Sequence, residues 1–292
     1  MLHIENALKS QKQPKNDAFC KLIAYKVKMN LKNYILSLAA KGKSYFTESD
    51  ALNAIGISKI ALRAALRRLK KKREIACPLS GFFVIVPPEY QSLQSLPPEQ
   101  FIDDLMRHLK TPYYVALLSA AQFYGAAHQK PQTFQVIIPQ ARRNIEVGRV
   151  KISFTTKYDA DQSAIRQFNT SRGFVLVADP ATIAIDLVTF PQKSGGLSAV
   201  FEILSDLSEH LNVENCIEAI PHLKKAPALQ RLGYFLELLG LTEQAQLCEK
   251  ELKKRSYVKK ALLDPHEKSE GAILNTRWNL IINTELEIEH DT

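Results

Sequence analysis

At 292 residues the chain exceeds one ordinary domain, and 46% hydrophobic against 24% charged residues is the balance of a globular protein with a real core. Four scattered cysteines with no C-x-x-C spacing and no histidine cluster argue against a disulfide framework or a zinc site and for a reduced, cytoplasmic setting. There is no secretory h-region, and no apolar run approaches the ~18 residues that a membrane span needs, so no membrane role is expected.

The net charge of +9 is unevenly spread. Residues 1–90 carry 17 Lys/Arg against 6 Asp/Glu, and the remainder carries 22 against 24. The excess positive charge therefore belongs to the first third, which calls for a polyanion as its partner.

In chain order, the N-terminal arm (1–28) begins with some sixteen residues that read as frayed or loosely helical, and a helix is expected over 22–40. Lys41-Gly42-Lys43 ends that helix, because glycine tolerates the left-handed conformation and lysines suit the negative dipole end. Thr47 offers an N-cap with Asp50 as a capping-box partner, and Gly56 stops the short helix that follows. Ser58 caps the next helix. There Leu62, Ala65, Leu66 and Leu69 form one apolar stripe at i, i+3, i+4, i+7. Lys59, Arg63, Arg67, Lys70 and Lys71 fall on the other side, with Ile60 and Ala64 among them. Two β-rich runs, 74–77 and 82–86, then flank a turn at Pro78-Leu-Ser-Gly81.

Short helix, glycine turn, basic helix and hairpin describe a winged helix-turn-helix. Residues 58–73 hold eight basic side chains and no acid. A merely solvated helix face would mix signs to form i,i+4 pairs. The expected DNA contacts are Ser58, Lys59, Ile60, Arg63, Ala64, Arg67, Arg68, Lys70, Lys71, Lys72 and Arg73. Arginine pairs with guanine O6/N7 and small apolar groups meet thymine methyls, which suits Ile60, Arg63, Ala64 and Arg67 for base reading. Lys70 to Arg73 would meet phosphates.

From 87 to 98 two Pro-Pro pairs bracket a polar stretch, read as a semi-rigid extended linker. A helix opens at Pro98 and runs through Phe101, Leu105 and Leu109, and a second, mostly buried helix is expected at 113–123. Strands are expected at 133–138, 150–155 and 174–177, and a helix after Asp179-Pro180. Helical periodicity dominates at 197–211, 213–219, 228–239 and 242–254, and a late strand covers 273–282. The fold class is thus α+β: an N-terminal winged helix-turn-helix (29–88), a linker (89–98) and a mixed α/β domain with a helical C-terminal half (99–285).

Catalytic readings find little footing. Asp103-Asp104 sits at a helix start beside Arg107 and His108, where dipole placement explains it. His108 and His128 lack ligand spacing. Asp159, Asp161, Asp179 and Asp186 surround the strands, but Asp179 reads as an N-cap and Asp186 has no E-x-K-type companion close by. Arg142-Arg143 after a strand is either an anion contact or a loop. No P-loop, dinucleotide or nucleophile-elbow motif occurs. Neither enzymatic activity nor a metal or cofactor is expected.

Several strings together give the chain a family likeness: GFFVIVPPEY at 81–90, FIDDLMRHL at 101–109, YYVALLSAA at 113–121, GAAHQ at 125–129, TFQV at 133–136, DPATIAIDLV at 179–188, RLGY at 231–234 and RWNLIIN at 277–283. The chain resembles the AbiEi family, the antitoxin-type transcriptional regulators of bacterial type IV toxin–antitoxin systems, over roughly residues 30–285. The resemblance implies a DNA-binding autorepressor whose C-terminal domain counteracts a nucleotidyltransferase toxin, generally without a stable complex. Its DNA would be a double-stranded operator, often an inverted repeat. Two other readings stand beside it: a stand-alone regulator with a ligand-sensing C-terminal domain, and a DNA-processing enzyme using the strand-associated aspartates.

Overall fold

The computed structural model describes residues 29–127 and 131–286; the arm 1–28, the first part of the helix expected at 22–40, and His128 lie outside the described residues. The first helix, α1, spans Leu31–Ala40. It starts there because Asn30 is in extended backbone and its side chain accepts a hydrogen bond from the Asn33 N–H, 2.8 Å away. Strand β1 (Tyr45–Thr47) follows, then α2 (Glu48–Ile55), α3 (Lys59–Lys71), β2 (Ile75–Leu79) and β3 (Phe82–Ile85).

The caps are those the sequence predicts. Thr47 and Asp50 form a reciprocal capping box, Gly56 is left-handed (φ +70°), and Ser58 Oγ accepts from the Ala61 N–H at 3.2 Å. Thr47→Ala should lower stability by about 1 kcal/mol, read from the denaturant midpoint, because the Asp50 N–H at the start of α2 loses its acceptor.

Strand β1, which the sequence reading missed, completes a three-stranded antiparallel sheet of order β1-β3-β2. The hairpin turn is Ser80-Gly81 and not 78–81; Pro78 lies inside β2, at the register shift between Ala76 and Leu79, where its missing N–H costs no ladder bond.

All four residues of β3 are buried, on two different sides. Phe83 and Ile85 join Leu62, Leu66, Phe46 and Tyr34 in one apolar cluster beneath α3. Phe82 and Val84 point the other way, into the cluster that continues through the rest of the molecule. Phe82 stacks on Tyr45 (5.0 Å between centroids) and lies against His108 (5.4 Å). Residues 87–98, expected to be extended, instead fold onto the body through a 3-10 turn at Pro88–Tyr90. Ser95 and Leu96 are fully buried, and Leu93 O accepts from the Arg149 N–H at 2.9 Å.

After helix α4 (Ile102–His108) comes β4 (Tyr114–Val115), then the short α5 (Leu117–Ala121). The single helix expected at 113–123 is therefore corrected to a strand and a short helix. Strands β5 (Phe134–Ile138), β6 (Ile145–Val147), β7 (Val150–Thr156), β8 (Ile165–Thr170) and β9 (Gly173–Ala178) join β4 in a mixed six-stranded sheet of order β6-β7-β5-β4-β9-β8.

Helix α6 (Pro180–Thr189), capped by Asp179, is buried along nearly its whole length beside this sheet. Helices α7 (Leu197–Leu207), α8 (Val213–Ala219), α9 (Ala226–Leu238) and α10 (Thr242–Lys253) complete the helical half. The late strand expected at 273–282 is two strands, β11 (Ile273–Asn275) and β12 (Leu280–Ile282), joined by a parallel β10 (Ala261–Leu262). Among the described residues, no helix is long and apolar enough to cross a membrane, and Cys77, Cys216 and Cys248 are free thiols.

Candidate nucleic-acid interface

Helix α3 buries Leu62 and Leu66 and half-buries Ala65 and Leu69, so the apolar stripe seats it on the β-sheet. Every one of the eleven expected contact residues is exposed: Ser58, Lys59, Ile60, Arg63, Ala64, Arg67, Arg68, Lys70, Lys71, Lys72 and Arg73. Ile60 is 83% exposed, an unusual state for a large aliphatic side chain in the first turn of a helix. The helix ends at Lys71. Lys72 is its C-cap and Arg73 is left-handed (φ +59°), so the last two basic residues belong to the turn into β2.

Arg63, Arg67 and Lys70 line one crevice of about 350 Å³ between α3 and the Ser80-Gly81 turn. Only one of the eleven has an ion-pair partner among the described residues: Arg63 Nε donates to Glu48 Oε1 at 2.9 Å. Sequence reading missed Glu48, fifteen positions away and on the preceding helix; its first-turn location on α2 was the available signal. Among the described residues the other basic side chains of α3 have no ion-pair partner, which leaves a concentrated positive face.

Asp159 and Asp161 of the catalytic reading line one cavity with Lys157 and Ser163, but the four aspartates form no shared carboxylate cluster. Asp179 Oδ1 accepts from the Thr182 N–H at 2.7 Å, as an N-cap. Asp159 pairs with Lys224 at 3.2 Å. Asp186 is fully buried and, although no E-x-K motif lies near it in the sequence, a lysine 29 positions away reaches it in the fold. Lys157 Nζ donates to Asp186 Oδ1 (3.0 Å), to Ser163 Oγ (3.1 Å) and to the Tyr114 hydroxyl (3.2 Å), while Tyr114 donates to Asp186 Oδ2 (3.0 Å). Burial pushes the Asp186 carboxyl above the usual carboxylate range, against the pull of Lys157 and the Tyr114 hydrogen bond. All three ammonium donors are used, so the cluster ties together β4, β7 and α6. Among the described residues, no group of three or more His, Cys, Asp or Glu side chains could hold a metal ion.

Residues 114–238 match the AbiEi antitoxin C-terminal domain. The AbiEi match begins on the first residue of β4 and ends on the last of α9, and it takes in the whole Tyr114–Lys157–Ser163–Asp186 cluster. No curated protein sequence matches the chain. Of the solved structures, the RV2827C protein from Mycobacterium tuberculosis superposes with a TM-score of 0.63 at 17% identity, covering 86% of this chain and 90% of that one. At that identity the likeness is one of fold, and its coverage is too large to come from the AbiEi-matched segment alone.

Proposed function

We propose that the chain is a DNA-binding transcriptional regulator, the autorepressor and antitoxin of a type IV toxin–antitoxin operon that counteracts a nucleotidyltransferase toxin. Residues 29–88 form its winged helix-turn-helix domain, 89–98 the connection, and 99–285 the antitoxin domain. The observation that carries the DNA-binding half is α3: a one-sided face of exposed basic side chains, of which only Arg63 has an ion-pair partner among the described residues, with Ile60 open among them. The AbiEi match at 114–238 supports the antitoxin half. Ile60, Arg63, Ala64 and Arg67 read bases in the major groove, and Ser58, Lys59, Arg68 and Lys70 to Arg73 hold phosphates. The partner is a double-stranded operator, two copies of the protein reading an inverted repeat. The protein works in the cytoplasm and catalyses no reaction of its own.

Each lysine bound to a phosphate adds about 0.9 to the slope of log affinity against log salt. Lys70→Ala/Lys71→Ala should therefore flatten that slope by about two units in a titration of the full chain on duplex DNA. An unchanged slope removes both lysines from the interface. For the antitoxin half, co-expression of the full chain with the nucleotidyltransferase toxin should restore growth, and failure to do so would falsify that assignment.

A further inference from the structure

Glu48 sits where a carboxylate works against the partner proposed above. It lines the same crevice as Arg63, Arg67 and Lys70, and it opposes phosphate attraction there. Its contact with Arg63 contributes little to stability, because the Arg63 side chain is 55% exposed and solvent screens the pair. What the contact does is geometric. The carboxylate engages Nε alone, and neither terminal nitrogen of Arg63 has a partner among the described residues. Those two nitrogens are the donors that pair with guanine O6 and N7.

Glu48 is itself well anchored. Its backbone N–H donates to Gly81 O in the hairpin turn at 2.9 Å, and the Thr47–Asp50 capping box fixes the turn of α2 from which its side chain leaves.

We propose that Glu48 is a positioning residue for base recognition: it holds the Arg63 guanidinium with both terminal nitrogens presented to one guanine. The inference rests on the DNA-binding reading of α3 and adds to it a residue on a different helix. Orienting the arginine before it meets DNA removes part of the rotamer freedom otherwise lost on binding. It also discriminates, since an arginine biased toward one pose swings less often to a neighbouring phosphate. Arg67 has no such partner among the described residues and lacks this restraint.

The test uses the full chain and duplexes enriched by it from a randomised pool. Each guanine of the enriched site is replaced in turn by 7-deazaguanine, which keeps Watson–Crick pairing and lacks only the N7 acceptor. At one position this should weaken wild-type binding by about 10-fold, the scale of a bidentate contact, and Arg63→Ala should be insensitive there. Glu48→Ala should lose most of that position-specific penalty while its affinity for unrelated duplex rises, since a negative charge has left the interface. Glu48→Gln, whose amide oxygen can still accept from Nε, should retain most of the penalty.

Three results overturn the proposal. Glu48→Ala may keep the full penalty at that guanine. It may instead lose affinity for all duplexes in proportion, together with a lower melting temperature, which would make Glu48 merely structural. Or the chain may enrich a defined sequence in which no guanine depends on Arg63, in which case the positioning role falls and the DNA-binding reading stands. If the full chain binds no duplex at all, both fall together.

Discussion

Replacing Lys157 by methionine is expected to cost about 3–5 kcal/mol at neutral pH, because it leaves the fully buried Asp186 carboxylate without its cationic partner. For a protein of this size that is a fall in melting temperature on the order of 10 °C. The pH dependence identifies the damaged group. Burial already raises the folded-state pKa of Asp186, and loss of Lys157 raises it further. A carboxyl whose pKa is raised on folding favours the folded state fully below its unfolded value. That contribution disappears as the pH climbs through the folded value. The deficit of Lys157→Met relative to wild type should therefore shrink as the pH is lowered toward 4. A deficit that grows on acidification would point to a different group. Lys157→Met/Asp186→Leu should recover much of the loss, since an apolar pair can fill the site without an unpaired charge.

The second large effect is expected at Gly233, in the middle of α9. A Cβ there would overlap ring carbons Cζ3, Cη2 and Cε3 of Trp278, which is itself fully buried. The ring cannot easily retreat. Its Nε1 donates to Glu237, the Arg277 guanidinium lies over the ring at 5.0 Å from its centroid, and the Trp278 carbonyl accepts from Gln230 Nε2 at 2.9 Å. Gly233→Ala should destabilise by about 3 kcal/mol or more, at the upper end of overpacking effects. Trp278 is the chain's single tryptophan, so its fluorescence reports this site alone. The emission should shift red in the variant before the rest of the fold melts. Gly233→Ala/Trp278→Leu should be more stable than the sum of the single changes predicts, because the smaller side chain leaves room for the methyl group. Strict additivity would show that the two residues do not share the space.

What the sequence reveals about this molecule is mostly what is local. Thr47, Asp50, Gly56 and Ser58 act on groups within four residues, so their roles follow from residue type and spacing. Helices α8 and α10 likewise announce themselves by periodicity and short connections. Tyr114–Val115 does not, because its identity as a strand is decided by Val136, Ile137 and Val177, far along the chain. An apolar run of that length reads equally well as buried helix or buried strand. Strand β8 was hidden for the opposite reason: as an edge strand its side chains are largely exposed, so it lacks a clear alternation. The proline-bracketed stretch at 87–98 looked extended because nothing local shows that Leu96 is fully buried. The same limit applies at the sites. The basic face of α3 was visible from one helix, whereas Glu48 and Lys157 matter only through partners 15 and 29 residues away.

Strand β3, with Phe83 and Ile85 facing one core and Phe82 and Val84 the other, is a party wall between the two halves. A protease nick between Pro87 and Pro98 would cut the chain there without parting the halves, which should elute from gel filtration as a single species until denatured. Neither half can be handled alone without baring aromatic surface. A substitution in any of these four residues therefore touches one of the two cores directly and the other through the shared backbone.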